Sequence, residues 1–262
     1  MKRIFAACLL GAVMSGCACW NACPDKNNGQ ENIVIVKTAE KITLDGKLDE
    51  AAWKNAPAHV THFADASGGL PELEHKRVLA DKFEPASIKV LYDDEYIYVG
   101  AVLTDEDIVA LLKKNQNQDY LYRTADTLEV FIWPVAGHHY WELYSTPTGN
   151  KTGFFFPAGG MTFMEPLMTK VPVMPGLEVA STIQGTLNDH SDRDKSWTTE
   201  MRISIKELNS KGVKFEPGQE WRMLFSRYNY SHFMYAKQHS FYPQLPSCNF
   251  HLRQYYAPVV FK

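Results

Sequence analysis

Several things are scarce in this sequence. No stretch reaches the roughly 20 consecutive apolar residues that a membrane-spanning helix needs. Basic charge is not in excess: 27 Lys and Arg stand against 30 Asp and Glu, a net charge of −3. With no basic run either, nucleic acid is not an expected partner. Cysteines number five in 262 residues, and none of their spacings matches a zinc site. Helical periodicity is nowhere sustained over three or four turns. There is no G-x-S-x-G, no H-E-x-x-H and no phosphate-cradling glycine loop. These absences argue against a helical bundle, a disulfide-built scaffold and the common hydrolase signatures. What is abundant is aromatic: 13% of residues, with six Trp, thirteen Tyr and fourteen Phe.

The N-terminus reads as a targeting segment. Lys2 and Arg3 precede an apolar run from Ile4 to Met14, too short to span a bilayer and suited to the h-region of a signal peptide. Met14-Ser15-Gly16-Cys17 resembles the lipobox of bacterial lipoproteins, which implies cleavage before Cys17 and acylation of its thiol. The alternative is an ordinary cleaved signal peptide. The expected organisation is a signal peptide over 1–16, a lipidated flexible tether over 17–31 and one β domain over 32–262. The tether is small and polar, with Pro24, Asn27, Asn28 and Gly29. An exported location on the periplasmic or surface side of a membrane follows. Stable anchoring requires more than one acyl chain. Cys19, Cys23 and Cys248 then remain, an odd number that permits at most one internal bridge.

The rest reads as strand after strand. Ser87 to Leu103 is the clearest hairpin, with Asp93-Asp94-Glu95 as its turn. Further strands are expected at 33–36, 127–133, 139–145, 152–156, 176–184, 198–205, 221–230 and 259–261. Short helical turns are expected at 49–53, with Asp49 as N-cap, at 105–112 and at 206–211. Such a pattern predicts an all-β, two-sheet antiparallel sandwich.

Several segments carry a resemblance when taken together. Ile42-Thr43-Leu44-Asp45-Gly46-Lys47-Leu48-Asp49-Glu50-Ala51-Ala52-Trp53, the hairpin Ile88 to Val99, Asp126 to Ile132, Tyr140-Trp141-Glu142-Leu143, Trp197 to Ile205 and Ala257 to Phe261 occur in this order. The set resembles family 9 carbohydrate-binding modules and their DOMON-like relatives, over about residues 33 to 262. The resemblance implies an immunoglobulin-like or jelly-roll-like sandwich. It also implies non-catalytic binding of an oligo- or polysaccharide between two aromatic platforms. Relatives of this fold also include haem-binding domains and modules attached to polysaccharide-degrading enzymes.

A sugar's C–H face packs on an aromatic ring while its hydroxyls need directed polar partners. Two regions offer both. Trp133, Trp141, Glu142 and Tyr144 form the first, where strand alternation puts Tyr140, Glu142 and Tyr144 on one face and Trp141 on the other. Arg227, Asn229 and Phe241 form the second. No tryptophan follows Trp221, so Phe241 or Tyr242 would stand where relatives carry a second one. These seven residues are the expected site. Trp133 and Trp141 could equally be core, whereas Trp53, Trp197 and Trp221 are expected there.

Asp189, Asp192 and Asp194 form an acidic loop that could bind calcium, though without the regular D-x-D-x-D-G spacing. His138 and Glu142 would lie about 13 Å apart in a strand, too far to share an ion. Two further readings stay open. Glycoside hydrolysis would need a carboxyl pair, for which Glu129 and Glu142 fall on strands expected to be neighbours. Haem ligation would draw on Met161, Met164, Met168, Met174, His232 or His239.

Overall fold

The computed structural model describes residues 32–64, 82–157, 174–234 and 236–262. The expected signal peptide, Cys17 and nearly all of the tether therefore lie outside the described residues.

The described chain is almost entirely β. Its strands are β1 (Ile33–Lys37), β2 (His59–Val60), β3 (His62–Phe63), β4 (Ala86–Tyr92), β5 (Tyr96–Thr104), β6 (Thr127–Pro134), β7 (Tyr140–Ser145), β8 (Lys151–Phe156), β9 (Glu178–Gln184), β10 (Ser196–Ser204), β11 (Trp221–Asn229), β12 (Gln238–Tyr242) and β13 (Ala257–Phe261). Two one-turn helices, α1 (Ala51–Asn55) and α2 (Ile205–Asn209), interrupt them. The order is β8-β7-β6-β11-β13-β1-β4-β5-β10-β9, with β12 pairing β11 and β3, and β2 pairing β4. The two ends of this order pack face to face. Ile88, Val90, Val99, Leu103, Trp197 and Met201 from one half meet Val130, Ile132, Trp141, Leu143, Met223 and Phe225 from the other in one buried core. This is the expected sandwich. Its exceptions to antiparallel pairing are at β1, which runs parallel to both β13 and β4. Those strands are far from β1 in sequence, and such long connections permit parallel pairing where hairpins do not.

The expected hairpin forms as β4 and β5, its turn held by Asp93, whose carboxylate accepts from the Glu95 and Tyr96 amides at 2.7 Å each. Other local expectations need correction. Asp49 is not the cap of α1: the N-cap is Glu50, without a side-chain bond. The free amides of Ala51 and Ala52 are taken by the Glu40 carboxylate from outside the helix. No helix forms at 105–112. The Asp107, Ile108, Val109 and Ala110 amides go instead to the side chains of Asp105, Asp194, Asp126 and Asn188. Side-chain acceptors of this kind compete with the helix ladder. Strand β12 and the short β2 and β3 lie where no strand was expected.

The half-sheet β8-β7-β6-β11-β12 has a second side, facing away from the core. Strand alternation puts Glu129, Phe131, Trp133, Tyr140, Glu142, Tyr144, Phe154, Leu224, Ser226, Tyr228 and Phe241 there. Leu121, Phe250 and Tyr256, from the flanking loops, complete an aromatic layer over it.

Candidate functional site

The expected site residues are divided by the β pleat. Trp133, Glu142, Tyr144 and Phe241 lie on the outer side of the half-sheet, whereas Trp141, Arg227 and Asn229 point the opposite way. Trp141 is 1% exposed and stacks on Trp221 with centroids 6.4 Å apart. It belongs to the core and has no free face for a ligand. Arg227 and Asn229 are buried at one end of the sandwich, bonded to each other at 3.0 Å. Neither reaches Glu142, because each is offset by an odd number of positions from the outward-facing Ser226 and Tyr228 and so points to the other side. Phe241 is fully buried beneath Phe250. Trp133 is half-buried, its indole N–H donating to the Gly137 carbonyl at 3.0 Å and the Arg253 guanidinium 4.6 Å above its ring.

Glu142, expected in the site, is buried. It sits beside a second buried carboxyl, Glu129, diagonally across the β6–β7 ladder. The Tyr144 hydroxyl donates to Glu142 and the Ser226 hydroxyl donates to Glu129 at 2.7 Å. Burial pushes Glu142 up to about 7, against the pull of the Tyr144 hydroxyl bond. Burial, reinforced by the Glu142 charge, holds Glu129 well above the usual carboxylate range. Among the described residues neither makes a salt bridge. The pair is therefore stabilised by protonation and hydroxyl donors.

Above this polar floor lies a tyrosine cluster. Tyr122 stacks on Tyr228 with centroids 4.8 Å apart and meets Tyr144 edge-on. Tyr120 meets Tyr122 edge-on and carries the Arg123 guanidinium 4.2 Å from its ring. The Tyr230 hydroxyl donates to the Tyr122 carbonyl at 2.7 Å. Lys237 is 4.9 Å from the Tyr228 ring and 5.6 Å from Tyr230. His239 stands edge-on to Tyr228, its Nδ1 3.3 Å from the exposed Cys248 sulfur, and burial lowers it to about 4. Tyr120, Tyr122, Tyr228 and Tyr230 are all half-buried, so each presents part of a ring to solvent. A sugar between two rings would need about 7–8 Å between them. The Tyr122–Tyr228 pair is already closed, so it offers its outer surface.

Tyr120 and Tyr122 escaped the sequence reading. Their one signal is the Tyr-Leu-Tyr spacing of 120–122, which buries Leu121 and leaves both tyrosines at the surface layer.

The acidic loop does not assemble as a calcium site. Asp194 spends its oxygens on the Thr186 and Ile108 amides at 2.6 Å each, Asp192 accepts from the Thr186 hydroxyl, and Asp189 accepts from the Ser191 amide. Among the described residues no three His, Cys, Asp or Glu side chains converge as a metal centre requires. Of the sulfur donors considered for haem, Met174 is buried in the core, and Met161, Met164 and Met168 lie outside the described residues. His232 stacks on His190 with centroids 4.1 Å apart.

No family model matches the sequence, and no curated protein matches it. Solved structures do share its fold. A candidate carbohydrate-binding protein from Bacteroides uniformis superposes with a TM-score of 0.62 at 12% identity, over 88% of this chain and 99% of that one. A family 9 carbohydrate-binding module from Caldicellulosiruptor kristjanssonii, solved with cellotriose, gives 0.54 at 12% identity, over 88% of this chain and 94% of that one. The structure of a family 9 module from the same organism with glucose gives 0.53 at 13% identity, over 87% and 95%. The chain therefore has the sandwich fold of these proteins.

Proposed function

We propose that this chain is a non-catalytic carbohydrate-binding module. In this reading it is exported, held to a membrane by lipid on Cys17, and keeps an oligo- or polysaccharide near the cell for breakdown by other proteins. The observation that carries the reading is the partly exposed tyrosine cluster of Tyr120, Tyr122, Tyr228 and Tyr230 over one sheet face. Aromatic surface of this kind suits the C–H face of a pyranose. Lys237, Arg123 and the tyrosine hydroxyls at its rim suit the sugar hydroxyls. The fold shared with a family 9 module solved in complex with cellotriose lends support.

Glu142, Tyr144 and Phe241 belong to the supporting layer of this face, and Trp133 to its far end. The test is a glycan-array screen with soluble protein beginning at Asn32, run with calcium and with chelator. A saturable hit that Tyr122→Ala weakens by about 1 kcal/mol or more, roughly five- to tenfold in Kd, is the expected result. A folded protein with no hit, or one whose hit ignores Tyr122→Ala and Tyr228→Ala alike, refutes it.

A second reading, glycoside hydrolysis, would require the buried Glu129 and Glu142 to flank a bound sugar. Release of reducing sugar by the purified protein, abolished in Glu142→Gln, would establish it.

A further inference from the structure

We infer that Arg227 is a positioning residue, an internal cation around which the loops carrying the tyrosine cluster are built. The consequence for ligand binding rests on the function proposed above; the structural role does not.

Arg227 is fully buried, as is its ion-pair partner Asp105. Its guanidinium sits in a cage of four oxygens drawn from three places in the chain. One terminal nitrogen donates to the Glu84 carbonyl at 2.8 Å and the Thr104 carbonyl at 2.7 Å. The other donates to the Asp105 carboxylate at 2.8 Å and the Asn229 amide oxygen at 3.0 Å. The Glu84 carboxylate closes the cage, accepting from the Asn229 side chain at 2.7 Å and the Glu106 amide at 3.1 Å.

Asp126, fully buried and within electrostatic reach of Asp105, adds a third carboxyl. Three carboxyls thus gather around one guanidinium, and burial opposes the ionisation of each. Arg227 lowers all three, so without it the ionised cluster would lose its counter-charge.

From this cage the path to the outer face is short. Asp126 accepts from the Val109 amide at 2.6 Å and the Tyr230 amide at 2.7 Å. Asp107, its own amide bonded to Asp105, accepts from the His232 amide. These bonds anchor both ends of the β5–β6 connection, which carries Tyr120 and Tyr122, and the segment after β11. The Tyr230 hydroxyl then holds the Tyr122 carbonyl. A planar fork that donates to four oxygens at once is something a guanidinium supplies and an ammonium does not.

Arg227→Ala, Arg227→Met and Arg227→Lys test this in the soluble chain beginning at Asn32, with amide hydrogen exchange, thermal midpoint and pH profile as readouts. Arg227→Ala is expected to lower the midpoint by about 10 °C or more and to speed exchange at Val109 and Tyr230. Millimolar guanidinium, but not ammonium, should restore both. Arg227→Met should gain stability relative to the parent as pH falls, because protonation removes carboxylate charge that nothing else offsets. Arg227→Lys should lie between Met and the parent.

An Arg227→Met variant as stable as the parent at neutral pH overturns the inference. So does a folded Arg227→Ala indifferent to guanidinium. If Arg227→Ala does not fold, an Arg227→Lys no better than Arg227→Met overturns it. None of these readouts needs a glycan. A chain that passes them yet binds no sugar leaves the role of Arg227 standing and removes only the proposed function.

Discussion

The buried pair of Glu129 and Glu142 makes the stability of this protein depend on pH in a stated direction. Glu142 titrates at about 7 in the folded chain, against 4.5 for an ordinary glutamate, because burial disfavours its charged form. Between these values the folded chain holds a proton that the unfolded chain has released. Unfolding free energy therefore falls as pH rises from about 4.5 through about 7, and is fully present only below the lower value. At about 1.4 kcal/mol per pH unit, this gap amounts to about 3 kcal/mol from Glu142. In a domain of this size that is roughly 6–12 °C of thermal midpoint. The assay is the midpoint by circular dichroism at half-unit steps from pH 4.5 to 8, for the parent and for Glu142→Gln. Glutamine cannot ionise, and its carbonyl can still accept from the Tyr144 hydroxyl. The variant should therefore gain on the parent as pH rises. Other raised carboxyls, Asp105 at about 6 and Glu200 at about 7, act in both proteins and cancel in the difference. A parent–variant difference that stays flat across this range would refute the placement of Glu142 in a dry layer.

Two further outcomes follow from packing. Trp141→Ala should cost about 3–5 kcal/mol of stability, because the indole is 1% exposed and stacked on Trp221. Glycan affinity of the fraction that remains folded should not change; lost binding at unchanged stability, by chemical denaturation and array titration, would put Trp141 in the site instead. Gly46→Ala should destabilise by about 1–3 kcal/mol. Its φ is +80°, and a Cβ there would come within 2.7 Å of the Ser181 backbone. Urea denaturation reads this directly, and a neutral result would mean the Asp45-Gly46 turn is not held against β9.

What could be read from the sequence was what local alternation encodes. The hairpin of β4 and β5 alternates so regularly that its strands and turn were legible residue by residue, and the core tryptophans were legible from their places, Trp53 at the end of an apolar helical turn and Trp197 and Trp221 at strand starts. The same rule correctly put Glu142 and Tyr144 on one face of β7 and Trp141 on the other. Applied across to β11, it could have shown that Arg227 and Asn229 cannot share a face with Ser226 and Tyr228. The sequence carries no measure of which side of β11 faces the core, and that orientation assembled or dispersed the site.

Sequence alone therefore determined the all-β character, the run of short strands and the aromatic wealth, because each is a property of neighbours along the chain. Tertiary structure decided three things that depend on residues far apart in sequence. Asp126, Asp194 and Asn188 draw amides out of a would-be helix at 105–112. Glu142 meets Glu129 in a dry layer, which turns an expected hydroxyl acceptor into a proton-holding support. Tyr120 and Tyr122, unremarkable in their loop, become a partly exposed aromatic surface once Leu121 is buried and Tyr228 rises beneath them. In each case the deciding contact spans a separation that periodicity does not encode, and only the folded packing brings the partners within reach.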